Sequence, residues 1–294
     1  MSSHKSGFVN IIGNPNVGKS TLMNAMVGEK LSIVTAKAQT TRHRIMGIVN
    51  GEDYQIVYSD TPGILKPNYR LQQNMMNFVD TAIGDADIIL YVTDTVETAD
   101  KNAEYVAKLQ RLDCPVIVVV NKIDISDQPK VLELMEYWKG QLPKAKVIPA
   151  SAQEKFNLDS IFDAIVEELP VSPPWYDKDA FTDKNLRFFA QEIIREKILL
   201  NYSQEIPYSC EVCVESFKEG AERYDISAII YVMRDSQKGI IIGKKGAALK
   251  KVGTEARIEM EDFFQKKVFL SLYVKVDQDW RESRRELRKF GYEE

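Results

Sequence analysis

"FVNIIGNPNVGKST", residues 8–21, sets a Val- and Ile-rich run against a glycine-bounded polar loop and then a helical pattern. The loop matches G-x-x-x-x-G-K-[ST], with Gly13, Gly18, Lys19 and Ser20 in the required places. Glycines let successive backbone N–H groups curl around phosphate oxygens. A helix starting near Lys19 aims the positive end of its dipole at them, Lys19 adds a cation, and Ser20 is placed to ligate magnesium. Asn14, Val17 and Thr21 complete the loop. The strand before and the helix after are the context in which this pattern holds phosphate instead of merely reversing the chain.

From Phe8 to Leu169 short apolar runs alternate with helical patterns, which predicts an α/β domain with a mostly parallel sheet covered by helices. Six strands are expected, near residues 8–12, 44–50, 54–60, 87–93, 115–120 and 145–149. Only "GED" separates the second from the third, too little chain for a crossover, so these two form an antiparallel hairpin at one edge. "LPVSPPWYDKDAFTD", residues 169–183, carries three prolines and several charges and marks a boundary. The expected division is a first domain over 1–170, a linker over 171–183 and a second domain over 184–294.

With 294 residues, 44% hydrophobic and 28% charged, the chain has sequence enough for two cored domains and lies outside the compositions that stay disordered. Three cysteines, Cys114, Cys210 and Cys213, cannot make a disulfide framework, and "MSSHKSGFVN" lacks the apolar core of a signal peptide. No apolar run approaches the ~18 residues of a membrane span. The expected location is the cytoplasm, with any membrane contact peripheral, on the inner face of the cell membrane. Charge is unevenly spread: residues 234–294 hold 15 Lys/Arg against 11 Asp/Glu, a net of +4, which leaves −8 for residues 1–233. A basic end on an acidic chain points to a polyanionic partner.

Further strand ends supply the rest of a nucleotide site. "NKID" puts Asn121, Lys122 and Asp124 directly after "VIVVV", where a carboxylate accepts two hydrogen bonds from the N1 and N2 edge of guanine, a donor pair that adenine lacks. "ASA" adds Ser151, read as a brace for Asp124, and Ala152, whose backbone N–H is read as meeting guanine O6. "DTPG", residues 60–63, gives Asp60 to hold magnesium through water and the Gly63 N–H to sense the terminal phosphate. In the polar stretch "AKAQTTRHR", Thr41 is chosen over Thr40 to reach the metal when a third phosphate is present; Arg42, His43 and Arg44 are read as exposed polar groups of that loop. Ile64 stands where Ras-type enzymes carry a glutamine that orients water, so slow hydrolysis is expected. Cys210 and Cys213 form C-x-x-C inside a predicted strand, where positions three apart point to opposite faces, so they are read as structural.

The second half reads helix, strand, strand, helix, helix, strand, then a charged terminal helix over "WRESRRELRKF". Between its middle helices lies G-x-x-G as Gly243, Lys244, Lys245 and Gly246. That element order is the type II KH arrangement, an α+β module in which a tight glycine turn lets the backbone approach four nucleotides of a single strand while lysines neutralise phosphates. On this reading Ile240 and Ile242 wall the groove, and Lys250 and Lys251 extend its positive side.

"GNPNVGKSTLMN", "AQTTRHRIMGI", "DTPGI", "NKID" and "SA" resemble the Era family of P-loop GTPases, and with the KH-like half the resemblance covers nearly the whole chain. It implies GTP or GDP and magnesium at these positions, Lys19, Thr41 and Gly63 in catalysis, and switch loops around Thr41 and from Asp60 to Met76 that are ordered by the γ-phosphate. Similar GTPases use an asparagine at the place of Asn16 to hold a potassium ion near the β- and γ-phosphates; local hydrogen bonding within the loop is the alternative role for this residue. The resemblance further implies a monomer that binds the 3′ end of small-subunit ribosomal RNA and acts on the pre-ribosomal small subunit. A nucleotide-stabilised RNA-binding module with negligible turnover and a GTPase partner in RNA modification are the competing readings.

Overall fold

The computed structural model describes residues 4–98 and 103–293; Met1 to Ser3 of the amino-terminal stretch, residues 99–102 and Glu294 lie outside it. The chain divides into two compact units. The first comprises the described residues up to Lys66 together with Met75–Asp183, and the second comprises Pro67–Asn74 with the chain from Lys184 onward.

In the first unit six strands, β1 (Lys5–Gly13), β2 (Ile45–Asn50), β3 (Tyr54–Asp60), β4 (Ile88–Asp94), β5 (Val116–Asn121) and β6 (Lys146–Pro149), form one sheet in the order β2-β3-β1-β4-β5-β6. All pairings are parallel except β2 with β3, which form the expected hairpin at the edge. The central strands are buried along their length, so they read as unbroken apolar runs without alternation. Helices α1 (Lys19–Val27), α2 (Arg70–Gly84, of which Met75 onward belongs to this unit), α3 (Ala103–Leu109), α4 (Gln128–Gln141) and α5 (Leu158–Glu168) accompany them. Strand order reverses about β1, which brings the carboxyl ends of β1, β3, β4 and β5 around the amino terminus of α1, the crevice where open α/β sheets bind ligands.

Residues 171–183 do not behave as a free linker. Thr182 bridges Gly47, Ile48 N–H donates to the Phe181 carbonyl at 2.9 Å, and Gln55 Oε1 accepts the N–H groups of Trp175 and Tyr176 at 2.7 and 2.9 Å. The exposed backbone of edge strand β2 recruits the segment, so it belongs to the first unit up to Asp183.

The second unit carries α6 (Leu186–Asn201), β7 (Cys210–Glu219), β8 (Arg223–Val232), α7 (Asp235–Ile242), α8 (Ala247–Phe264) and β9 (Lys267–Val276), the order expected from sequence. β7 pairs antiparallel with β8, with a bulge between Val214 and Ser216, and β9 runs parallel to β8 at the free edge. One apolar core joins α6 and α8 to the sheet through Ile194, Ile198, Ile230, Val252 and Met260. The tyrosine hydroxyl of Tyr202 donates to the carbonyl of Ile241 at 2.7 Å, which ties the end of α6 to the end of α7. Cys210 is buried and Cys213 partly so, both as free thiols, in keeping with opposite faces of β7. The terminal helix α9 (Arg284–Lys289) is shorter than its sequence pattern suggests. Trp280 is fully buried and stacks edge-on to Phe290 at 6.0 Å, so the chain must turn there before Ser283 can cap the helix. Pro67–Asn74 packs within this unit, where Arg70 Nε donates to Glu293 at 2.7 Å.

Candidate functional site

The phosphate loop closes around a backbone that only glycine tolerates at its last turn. Gly18 has φ +97°, and a Cβ there would stand 2.2 Å from Asn121 Nδ2. Lys19 begins α1 and folds back over the loop, donating to the carbonyls of Gly13 at 3.1 Å and Asn14 at 2.8 Å. Burial lowers its pKa to about 8, against the pull of the Asp60 and Glu97 charges. The loop fronts a cavity of about 310 Å³ lined also by Thr21, Val34, Ala36, Gln39 and Thr41.

Three side-chain oxygen groups converge beside it. Ser20 Oγ donates to Asp60 Oδ2 at 2.6 Å and lies 2.9 Å from Thr41 Oγ1, which in turn stands 3.4 Å from the same carboxylate oxygen. Asp60 is fully buried, its Oδ1 has no hydrogen-bond partner, and burial raises its pKa despite Lys19 and the hydroxyls of Ser20, Ser32 and Thr41. A buried carboxylate short of partners, with two hydroxyls aimed at it, fits a hard divalent cation such as magnesium. Thr40 is engaged elsewhere, with Thr35 at 2.7 Å and the Lys37 carbonyl at 2.6 Å, so geometry selects Thr41. Gly63 lies against the loop so closely that a Cβ would meet Pro15 at 2.7 Å, and the next N–H, of Ile64, donates to the Gly13 carbonyl at 3.1 Å. Ile64 itself is buried and offers no polar atom to a water.

Asn16 (φ +66°) and Lys122 (φ +60°) are both left-handed and joined, with Lys122 Nζ donating to the Asn16 carbonyl at 2.5 Å. The Asn16 side chain donates to the Ala36 carbonyl at 3.1 Å, from the loop that precedes Thr41. Asn121 braces three loops at once: its Nδ2 donates to the Val17 carbonyl at 2.8 Å, and its Oδ1 accepts the Ala152 N–H at 2.9 Å. That N–H, expected to face the base, is therefore held by Asn121 here. Asp124 stands exposed in a short 3-10 turn after β5. Ser151 does not brace it; its hydroxyl accepts the Glu154 N–H at 3.1 Å, because the chain turns back on itself between Ser151 and Phe156.

Two acids at the end of β4 were not singled out from sequence. Asp94 is buried, pairs with Lys122 at 2.6 Å, and accepts the N–H groups of Val96 and Glu97 at 2.9 and 2.8 Å. Glu97 accepts from Thr93 at 2.8 Å and from the Asn14 side chain. Their signal was positional: "YVTDTVE" puts both just past a carboxyl strand end on the site's side of the sheet. Arg42 and His43, expected to be exposed, are buried, and Arg44 holds Asp85 through two bonds of 2.6 and 2.9 Å.

In the second unit, Lys244–Gly246 forms a 3-10 turn between α7 and α8, with Lys245 and Gly246 left-handed. Lys244 and Lys245 are exposed beside Gly243. A groove of about 350 Å³ runs from Gly246 along Leu249, Lys250 and Arg257 to Leu270 and Leu272 of β9. Ile240 is half exposed and Ile242 half-buried, while Ile241 enters the core. Lys250 lines the groove and Lys251 does not; it faces Glu255 at 3.8 Å. Arg257 was missed, although Gly246, Lys250, Gly253 and Arg257 recur at helical spacing.

Residues 8–122 match the family described as 50S ribosome-binding GTPase, and residues 205–281 match the KH domain. A protein of Clostridium kluyveri called GTPase Era is 43% identical over 290 residues, covering 98% of this chain and 99% of its own. A maize protein called GTPase ERA1, chloroplastic, is 44% identical over 296 residues, 99% of this chain and 71% of its own. A solved Aquifex aeolicus Era variant bound to GDP and aluminium fluoride superimposes with a TM-score of 0.94 at 39% identity, covering 99% of this chain and 100% of that one. An Era solved with MgGDPNP and nucleotides 1506–1542 of 16S ribosomal RNA gives the same score, identity and coverage. With the phosphate loop, the converging oxygens of Ser20, Thr41 and Asp60 and the glycine-turn groove in place, these likenesses make the chain a member of the Era family of GTPases.

Proposed function

We propose that the chain is a GTP-driven switch that grips the 3′ end of small-subunit ribosomal RNA through Gly243 to Lys250 and Arg257, and acts in assembly of that subunit. The observation that carries this reading is the pairing, on one chain, of a cavity lined by Gly18, Lys19, Ser20 and Thr41 with a basic glycine-turn groove. The 39% identical Era that was solved with that RNA supports the choice of partner.

In this reading Gly13 to Thr21 cradle the phosphates, Ser20, Thr41 and Asp60 hold magnesium, and Asp124 accepts from guanine. Magnesium, when bound, neutralises charge on the phosphate oxygens. Lys19 shares that task, and the Gly63 N–H is positioned to sense the terminal phosphate. Ile64 leaves the attacking water without a side-chain partner, so intrinsic turnover is slow. Asn16, already beside the Ala36 carbonyl, supplies a side-chain amide for a potassium ion that would fill the place of an arginine finger.

The test is Gly246→Asp. A Cβ at Gly246 meets nothing within 4 Å, so the substitution brings no clash; the φ of +78° strains any L side chain, Asp and Asn least, and Gly246→Asn as the partner variant separates that strain from the charge. RNA affinity should fall while GDP affinity is retained, read by anisotropy and calorimetry on the same preparation. Undiminished RNA affinity would remove the groove from the binding site.

A further inference from the structure

The face of the second unit's sheet opposite α6 and α8 takes no part in the groove. Register sets Phe269 beside Asp225, Ser271 beside Ser227 and Tyr273 beside Ile229 there, while Leu270, Leu272 and Val274 turn to the core. Phe269 and Tyr273 are 53% and 59% exposed. Four residues apart on an extended strand, their rings are ~13 Å from each other, room for a base on each with another between. α9 closes only the far end of this face, where Phe290 packs on Tyr231 at 5.1 Å.

Cations flank the two rings. The Arg223 guanidinium lies 5.3 Å from the Phe269 centroid and pairs with Asp225 at 3.1 Å, which cancels the acid nearest that ring. Lys267 opens the strand with an 80% exposed side chain, 3.8 Å from Glu261, and Lys275 stands exposed beyond Tyr273. Between the rings runs a row of serines, Ser216, Ser227 and Ser271. A protein interface would want a continuous apolar centre at that point. β9 also has a free edge, and its other side, through Leu270 and Leu272, is a wall of the glycine-turn groove.

We propose that this face is a second RNA subsite, a stacking platform for bases of the same single strand that the groove holds, reached where that strand crosses the edge of β9. The proposal rests on the RNA reading above and adds a binding surface to it. Rings flanked by cations bind single strands with little sequence preference, since every base has a π-face.

The experiment measures anisotropy of two labelled RNAs from the 3′ end of 16S ribosomal RNA, on the full chain loaded with GDPNP and magnesium. One RNA is about six nucleotides long, enough for a KH groove, and the other is about fourteen, enough to cross the edge. For the double variant Phe269→Ala, Tyr273→Ala, the short RNA should bind as to the unmodified chain, and the long one about tenfold or more weaker. Phe269→Tyr with Tyr273→Phe should restore the long RNA. Equal binding of the long RNA by the alanine variant, as a protein-docking face would give, overturns the proposal, and so does an equal loss for both RNAs. If the unmodified chain binds neither RNA, the RNA reading itself fails.

Discussion

Replacing Asp94 isolates one bond in the nucleotide site. Asp94 does two jobs with separate oxygens: Oδ2 pairs with Lys122 at 2.6 Å, and Oδ1 accepts two backbone N–H groups at 2.8 and 2.9 Å. Asparagine keeps an oxygen for the turn and loses the charge, so Asp94→Asn should cost about 1.5–3 kcal/mol, the range of a hydrogen bond to a charged group. Alanine also strands the two N–H groups, at about 1 kcal/mol each, which brings Asp94→Ala to about 3.5–5 kcal/mol. The Lys122 side chain is 30% exposed, and solvent reaching it holds both figures to the lower half of their ranges. Hydrogen exchange of the β4 and β5 amides in the nucleotide-free chain, followed through a urea series, reports on the first unit without any contribution from ligand binding. Asn as costly as Ala, or either within about 0.5 kcal/mol of the unmodified chain, would refute the division of labour between the two oxygens.

Other expectations follow from the same geometry. Asp124→Asn should move base preference from guanine toward xanthine, seen in competition between GDP and XDP; unchanged GDP affinity would remove Asp124 from the base site. If Asn16 holds potassium, phosphate release should be faster in potassium than in sodium salts, and Asn16→Ala should abolish the difference. Tyr202→Phe should cost the second unit about 1–2 kcal/mol by leaving the Ile241 carbonyl unpaired, read from buried Trp280 fluorescence in urea. Burial pushes the Tyr202 phenol up to about 12 from its ordinary 10.0, so the unfolded chain ionises first and stability should decline as pH rises between these values. In the Phe variant that decline should be smaller.

The first unit was legible because its strands are long apolar runs punctuated by loops whose chemistry is local: the phosphate loop, "DTPG" and "NKID" each declare themselves within a few residues. Thr41 was separable from Thr40 only weakly in sequence and plainly in space, where one hydroxyl faces Asp60 and the other Thr35. What stayed hidden depends on distant pairing. Asp94 and Glu97 look like ordinary strand-end acids until Lys122 and Asn14 are folded beside them. The stretch 171–183 reads as a linker by its prolines, and its pairing with the edge of β2, with Gln55 of β3 and with Lys5 at the start of β1 makes it part of a domain. Arg42 carries every mark of a surface residue and is buried.

Asn121 makes the pocket a keystone arch: one amide, wedged between Val17 and Ala152, ties the phosphate loop to the turn that follows β6. The two walls therefore share one support, and loosening it loosens both. Damage at this position would accordingly masquerade as poor affinity for every part of the ligand at once.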